Sequence, residues 1–252
     1  MTGGHAALLA VALPCLDASG ARVDAIREVL AGVDDLSLQE ADLALQWDDE
    51  RLQLHDLRRR ASRPLEVDWL EPLLRQRSWP ASRQGPLAQA LGRRTESVID
   101  ATAGWGQDAL RMLMMGYRVQ LIERCQVIGA LLIDGVRRCF EAELPHADAL
   151  APPIVVADAC TVLQTMSADC IYLDPIFPPK RNPSALAKRP LHLLRELVGD
   201  DADRDALFDA ATRAARRRVV VKRPDHAEPL RASPQHSFAG KLVRYDVYLQ
   251  AG

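Results

Sequence analysis

The sequence contains no CxxC pair, no HxH and no HExxH, and each absence removes a class of protein. Its five cysteines, Cys15, Cys125, Cys139, Cys160 and Cys170, are odd in number and scattered, so neither a disulfide framework nor a zinc knuckle is indicated. They read as reduced, mostly buried thiols, and the six histidines offer no ligand spacing, so no metal is expected. No run approaches the roughly 18 apolar residues that cross a bilayer. "AALLAVALPCL" (residues 6–16) is preceded by no Lys or Arg, and Pro14 directly before Cys15 spoils a lipoprotein-type cleavage site. It reads as an N-terminal strand, and the expected location is the cytoplasm, with no membrane partner. Internal repeats and low-complexity tracts are also missing.

What remains is an ordinary globular composition, 48% hydrophobic and 26% charged, over 252 residues. That length suits one generous domain or a core domain with a smaller appendage. The net charge of −2 argues against a nucleic-acid partner, but the average conceals an uneven distribution. Residues 1–50 are acidic (Asp34, Asp35, Glu40, Asp42, Asp48, Asp49, Glu50), and Arg58, Arg59, Arg60, Arg63, Arg75, Arg77, Arg83, Arg93 and Arg94 follow. A second basic set comprises Lys180, Arg181, Lys188, Arg189, Arg216, Arg217, Arg218, Lys222 and Arg223. For any single cluster, solvated surface and phosphate contact are equally good readings.

Residues Leu43 to Leu57 alternate apolar and polar side chains on either side of an acidic turn, which predicts an antiparallel hairpin. With the N-terminal run and "PLEVDW" (residues 64–69) it suggests a small β-containing module over residues 1–80. "RQRSWPASRQGPLAQALG" (residues 75–92) is basic and broken by Pro and Gly, a linker or substrate-facing loop, so the boundary falls within 78–95. From Ser97, short β-rich runs ("SVID", "RVQLIE", "PIVVA", "CIYLD", "RRVVVK") alternate with helical periodicity ("GQDALRMLMM", "QVIGALLIDGVRRCFEA"). Such alternation predicts an α/β domain over residues 81–252, a parallel sheet with helices on both faces. The alternating "KLVRYDVYLQ" predicts a closing antiparallel strand.

The first of these strands runs into "DATAGWGQDAL", Asp100 to Leu110, where Gly104, Gly106 and Ala109 form a G-x-G-x-x-A turn. Missing side chains there let a cofactor approach the backbone, although a tight strand-helix turn would use the same residues. Glu123, ending the next strand, stands where a carboxylate accepts both ribose hydroxyls of a bound nucleoside. A nicotinamide dinucleotide and S-adenosylmethionine fit this pair equally. Asp158, after the third strand, either receives the adenine amino group or caps the helix that begins near Thr161.

The fourth strand ends in "IYLDPIFPPKR", Ile171 to Arg181. An exocyclic base nitrogen is a poor nucleophile because its lone pair is delocalised into the ring. A carboxylate and a carbonyl that accept its two N–H groups orient that lone pair and offset the charge developing in transfer. Asp174 and the carbonyl of Pro175 have this chemistry, Phe177 offers a face for a flipped base, and Lys180 and Arg181 can reach phosphate. A dehydrogenase has no use for this arrangement.

"DATAGWGQDA", "LIER", "IYLDPIFPPK" and "VVVKRPD", in this order and spacing, resemble the ribosomal RNA small subunit methyltransferase J family. The match is close over roughly residues 95–250 and loose over the N-terminal module. The resemblance implies a class I, Rossmann-like methyltransferase fold, a seven-stranded, mostly parallel sheet with its last strand antiparallel. It implies S-adenosylmethionine as cofactor, 16S rRNA or the 30S subunit as partner, and methylation of a guanine N2 near the 3′ end of 16S rRNA. Carried over by position, the cofactor contacts are Gln107, Asp108, Glu123, Arg124, Asp158, Ala159 and Asp174; Asp100, Gly104 and Gly106 of the turn are assigned to the same cofactor, and the basic Lys180, Arg181, Lys222 and Arg223 to RNA. Three features depart from the family: Gln107 replaces an Arg, Asp158-Ala159 replaces Ser-Ser, and "SWPASRQGPLAQALG" replaces a glycine-rich basic segment. The rivals are the same chemistry on DNA adenine or another rRNA amine, a nicotinamide-dependent oxidoreductase, and a non-catalytic RNA-binding protein.

Overall fold

The computed structural model describes residues 26, 28–31, 43–48, 51–58, 63–76, 78–144, 150–175 and 203–250. The expected N-terminal strand and Cys15 lie outside the described residues. The hairpin forms as its alternation predicts: β1 (Leu43–Asp48) pairs antiparallel with β2 (Arg51–Asp56). "PLEVDW" does not form a strand; it makes one bridge, Leu54 to Leu65, and then leads into the short helix α1 (Leu70–Leu74). Its apolar side chains Val67 and Trp69 are buried in the core rather than on a pleated face. The segment read as a linker contains a helix, α2 (Gly85–Leu91), started by a proline in its first turn. Leu87, Ala88, Ala90 and Leu91 give it a buried stripe at i, i+3 and i+4 spacing, which outweighs the Pro and Gly of its flanks.

The remaining elements follow the predicted alternation: β3 (Ser97–Asp100), α3 (Gln107–Met114), β4 (Arg118–Glu123), α4 (Gln126–Glu141), β5 (Ile154–Val156), α5 (Ala159–Val162), β6 (Ala168–Leu173), α6 (Arg204–Ala214), β7 (Ala215–Pro224), β8 (His236–Ala239) and β9 (Val243–Leu249). Seven of the strands make one sheet in the order β5-β4-β3-β6-β7-β9-β8. β3 to β7 run parallel, and β9 lies antiparallel between β7 and β8. Period-two alternation divides its side chains between two cores. Val98, Leu121, Ile154, Tyr172 and Val220 face α2, α3, α4 and the hairpin, whereas Ile99, Ile122, Val155, Ile171 and Val221 face α5 and α6.

The chain winds outward from β3 to β4 to β5, then returns to place β6 on the other side of β3. The crevice between β3 and β6 is therefore the switch point at which open α/β sheets bind ligands, beyond the C-terminal ends of the strands. Among the described residues, no helix is long and apolar enough to cross a membrane.

Candidate active site

The backbone leaving β3 changes partners as it enters the turn. The Ala101 amide donates to the Tyr172 carbonyl on β6, and the Ala103 amide donates to the Ile122 carbonyl on β4, both at 3.0 Å. Between them the amide of Thr102 donates to Oδ1 of Asp100, 3.2 Å away. Gly104 (φ 53°) and Gly106 (φ 69°) both take left-handed conformations, which glycine adopts without steric penalty. At Gly106 packing adds a second constraint, because a Cβ there would lie 2.6 Å from both Leu132 Cδ1 and Trp69 Cζ2. This glycine is thus required by Trp69 behind the turn as well as by any ligand in front of it.

Glu123 holds the same turn from β4. Its Oε2 accepts the Gly104 amide at 2.7 Å and its Oε1 accepts the Cys125 amide at 2.8 Å, so the carboxylate is nearly buried and fixed at a strand end. A carboxylate has about four acceptor positions, so one that is already oriented by two amides can also receive ribose hydroxyls. Gln107 is exposed and opens α3. Arg124, expected against the cofactor, pairs with Asp203 at 3.3 Å and so links the end of β4 to the start of α6. Asp158 takes the capping alternative: its Oδ1 accepts the Thr161 amide at 3.0 Å. Ala159 is buried in the core beneath α5. Asp158, Cys160 and Asp203 bring their ligand atoms within 4.8 Å of one another on this exposed edge.

Three carboxylates and one ammonium meet where β3, β6 and β7 end. The Asp174 amide donates to Thr102 Oγ1 at 2.6 Å, which ties the end of β6 to the turn after β3. Lys222 donates to Oδ2 of Asp174 and to Oδ2 of Asp108, 2.7 Å to each. The Tyr172 hydroxyl donates to the same Asp108 oxygen at 2.7 Å, and Arg111 reaches its Oδ1 at 3.1 Å. Burial pushes the Asp108 carboxyl up, but the Lys222 ammonium, the Tyr172 hydroxyl and Arg111 more than offset it and hold it below the usual carboxylate range. Asp100 is buried with only the Thr102 amide on its Oδ1 among the described residues, and its carboxyl is pushed well up by that burial, with Asp108 and Asp174 adding to the rise. Burial likewise pushes Tyr245, on the neighbouring strand, up to about 12.

Pro175 is buried directly after Asp174, and Phe177, Lys180 and Arg181 lie outside the described residues. The two remaining residues assigned to RNA are placed differently from that expectation. Lys222 is held between carboxylates, and Arg223 is buried with its guanidinium on the Glu228 carbonyl, because alternate residues of β7 turn into the sheet's two faces. Arg216 and Arg217 pair with Asp169 at 3.4 and 3.7 Å, near the start of β6 and so on the rim opposite the site. Sequence reasoning missed the bridging role of Lys222 and the Tyr172 hydroxyl; "VVVKRPD" placed a lysine at a strand end, but only the strand order brings it to Asp108 and Asp174.

The chemistry of this rim discriminates between the two nucleoside cofactors. Asp108, Glu123 and Asp174 surround the turn, and Lys222 and Arg111 are already paired with its aspartates. A pyrophosphate would meet negative charge there, whereas a ribose with a sulfonium and an ammonium group meets acceptors. The sheet order and this acidic rim define the class of S-adenosylmethionine-dependent methyltransferases. The family described as "Putative SAM-dependent methyltransferase" matches residues 32–250. The chain is 42% identical over 195 residues to the ribosomal RNA small subunit methyltransferase J of Thioalkalivibrio sulfidiphilus, covering 74% of this chain and 76% of that one. It is 40% identical over 219 residues to the enzyme of that name from Stutzerimonas stutzeri, covering 84% of each. A crystal structure of a SAM-dependent methyltransferase from Neisseria gonorrhoeae has the same fold, with a TM-score of 0.64 and 24% identity over 90% of this chain and 91% of that one. The chain belongs to the ribosomal RNA small subunit methyltransferase J family.

Proposed function

We propose that this protein methylates 16S rRNA, moving a methyl group from S-adenosylmethionine to the exocyclic N2 of a guanine near the 3′ end. The observation that carries the reading is Asp174: a carboxylate at the end of β6, beside the switch point, with its amide held by Thr102 and its side chain by Lys222. Bound S-adenosylmethionine supplies a methyl carbon on a sulfonium, ready for in-line displacement. Glu123 and the Gly104–Gly106 turn hold the nucleoside, and Asp108 anchors Lys222 beside them. Asp174 and the Pro175 carbonyl accept the two N–H groups of the amine, so that the nitrogen lone pair points along the line of transfer. The C–S bond breaks as the N–C bond forms, and the surplus amine proton passes from nitrogen toward the Asp174 carboxylate and solvent. Phe177 stacks on the extruded base, and Lys180 and Arg181 contact its flanking phosphates.

The same proposal treats residues 1–80 as a module that serves the catalytic domain of residues 81–252, and places the protein in the cytoplasm with the 30S subunit or its rRNA as partner. The dinucleotide reading is set aside because the family that matches residues 32–250 is one of SAM-dependent methyltransferases. Replacing Asp174 by Ala is expected to slow single-turnover methyl transfer about 10²- to 10³-fold, the scale of losing one transition-state electrostatic partner. Near-normal transfer by that variant would remove Asp174 from the chemistry.

A further inference from the structure

Asp108 has partners on both oxygens: Lys222 and Tyr172 on Oδ2, Arg111 on Oδ1. It lies in the first turn of α3, where the helix dipole also favours a carboxylate. It is therefore an anchor rather than a group waiting for a ligand. Lys222 reaches from β7 and spends two of its three N–H donors on Asp108 and Asp174, one oxygen of each, at equal distances of 2.7 Å. The three side chains grade from the interior to the rim, being 8%, 22% and 36% exposed for Asp108, Lys222 and Asp174. An ion pair serving stability alone would need only Asp108. Extending the ammonium to the more exposed carboxylate ties the Asp174 side chain to the same cation as the buried anchor. Thr102 fixes the backbone of the same residue, so Asp174 is held at both ends.

We infer that Lys222 is a positioning residue for methyl transfer, clamping the Asp174 carboxylate onto the Asp108 anchor in the orientation that receives the target amine. The inference rests on the proposed role of Asp174. Lys222 and Arg111 together balance the two aspartates, so the geometry of Asp174 is fixed where positive charge develops on the amine. The ammonium is strongly retained: burial works against it, but Asp174 and Asp108 raise its pKa well above the usual lysine value.

The test is a double-mutant cycle in single-turnover methylation of unmodified small-subunit rRNA, using wild type, K222M, K222R, D174N and the two double variants. K222M is expected to slow transfer about 10- to 100-fold, the scale of a misplaced group, with the calorimetric Kd for S-adenosylmethionine changed by less than about threefold. Combined with D174N it should add little further loss, because both changes remove one device. K222R, which keeps the charge, should recover part of the rate, and it carries the same cycle should K222M not fold. The non-additive cycle with D174N and the rescue by K222R are the readouts that a purely structural lysine would not move, and carboxyl NMR confirms that the cation has gone. Asp108 faces Asp100, Asp174, Tyr172, Tyr245 and Arg111 as well as Lys222, and losing the cation should raise the pH at which it titrates. Wild-type transfer by K222M, or losses that multiply in the double variant, would overturn the inference while leaving an impaired D174N in place. A D174N enzyme with near-normal transfer would instead overturn the role of Asp174, and the clamp with it.

Discussion

Asp100 and Asp108 stand eight positions apart at either end of one turn, both buried, and their carboxyls are shifted in opposite directions. Their contributions to stability consequently have opposite signs with pH. Asp108, held below its ordinary value of 3.8, adds stability that is present above that value and is lost as pH falls through its folded pKa. Asp100, raised above 3.8, keeps a proton in the folded state that the unfolded chain has released, so stability falls as pH climbs from 3.8 through its folded pKa. Asp100→Asn keeps the acceptor for the Thr102 amide and removes the ionisation. It should be more stable than wild type near neutral pH, with the advantage fading as pH approaches about 4, where the free carboxyl is protonated. Thermal unfolding between about pH 4 and about pH 8 measures this; a pH-independent difference, or a destabilised variant at neutral pH, would contradict it.

Among the elements, a buried carboxylate helps fasten the hairpin to the sheet domain. Asp134, fully buried on α4, accepts the Leu52 amide at 3.1 Å and pairs with Arg137 and Arg138 at 2.9 and 3.0 Å. Arg138 continues to the Val67 carbonyl, and Gly135 leaves room for Val67 itself, whose oxygen a Cβ would approach to 2.7 Å. Two residues on, Trp69 backs Gly106, so the N-terminal segment buttresses the turn of the candidate cofactor site. Asp134→Ala would leave the buried Leu52 amide unpaired, with Arg137 still on Glu141 and Arg138 on the Val67 carbonyl, and is expected to lose about 1–3 kcal/mol of stability, with faster exchange at the Leu52 amide. A loss below about 0.5 kcal/mol, the level of an ordinary surface substitution, would refute this docking role. The hairpin itself was legible in the sequence because alternation on both sides of a turn has one interpretation. "PLEVDW" alternates equally well but spends its apolar residues on a helix groove, and α2 was obscured by the same Pro and Gly that start and stop it. β8 escaped notice because "HSFA" is four residues long at the sheet edge, with little of it buried.

At the scale of the whole molecule, the order of the parallel strands determines which strand ends meet, and this explains how much of the site could be read in advance. Glu123, the glycine turn and Asp174 each terminate a strand whose end is visible in the sequence, so their positions followed from alternation of elements. The cluster of Asp108, Asp174 and Lys222 did not, because it joins three elements separated by 66 and 48 positions, and their meeting depends on β6 lying between β3 and β7. The same order explains why basic residues late in the chain divide between rims: Arg216 and Arg217 start β7 far from the site, whereas Lys222 ends it beside Asp174. The central claim is that these strand ends present an exocyclic amine of rRNA to a sulfonium-bound methyl group. Its most direct measurement is incubation of the protein with S-adenosylmethionine labelled in the methyl group and unmodified small-subunit rRNA, free or assembled, followed by mapping of the labelled base. The account predicts label on N2 of a guanine near the 3′ end of 16S rRNA; absence of transfer to either substrate, or label on a different base amine, would contradict it.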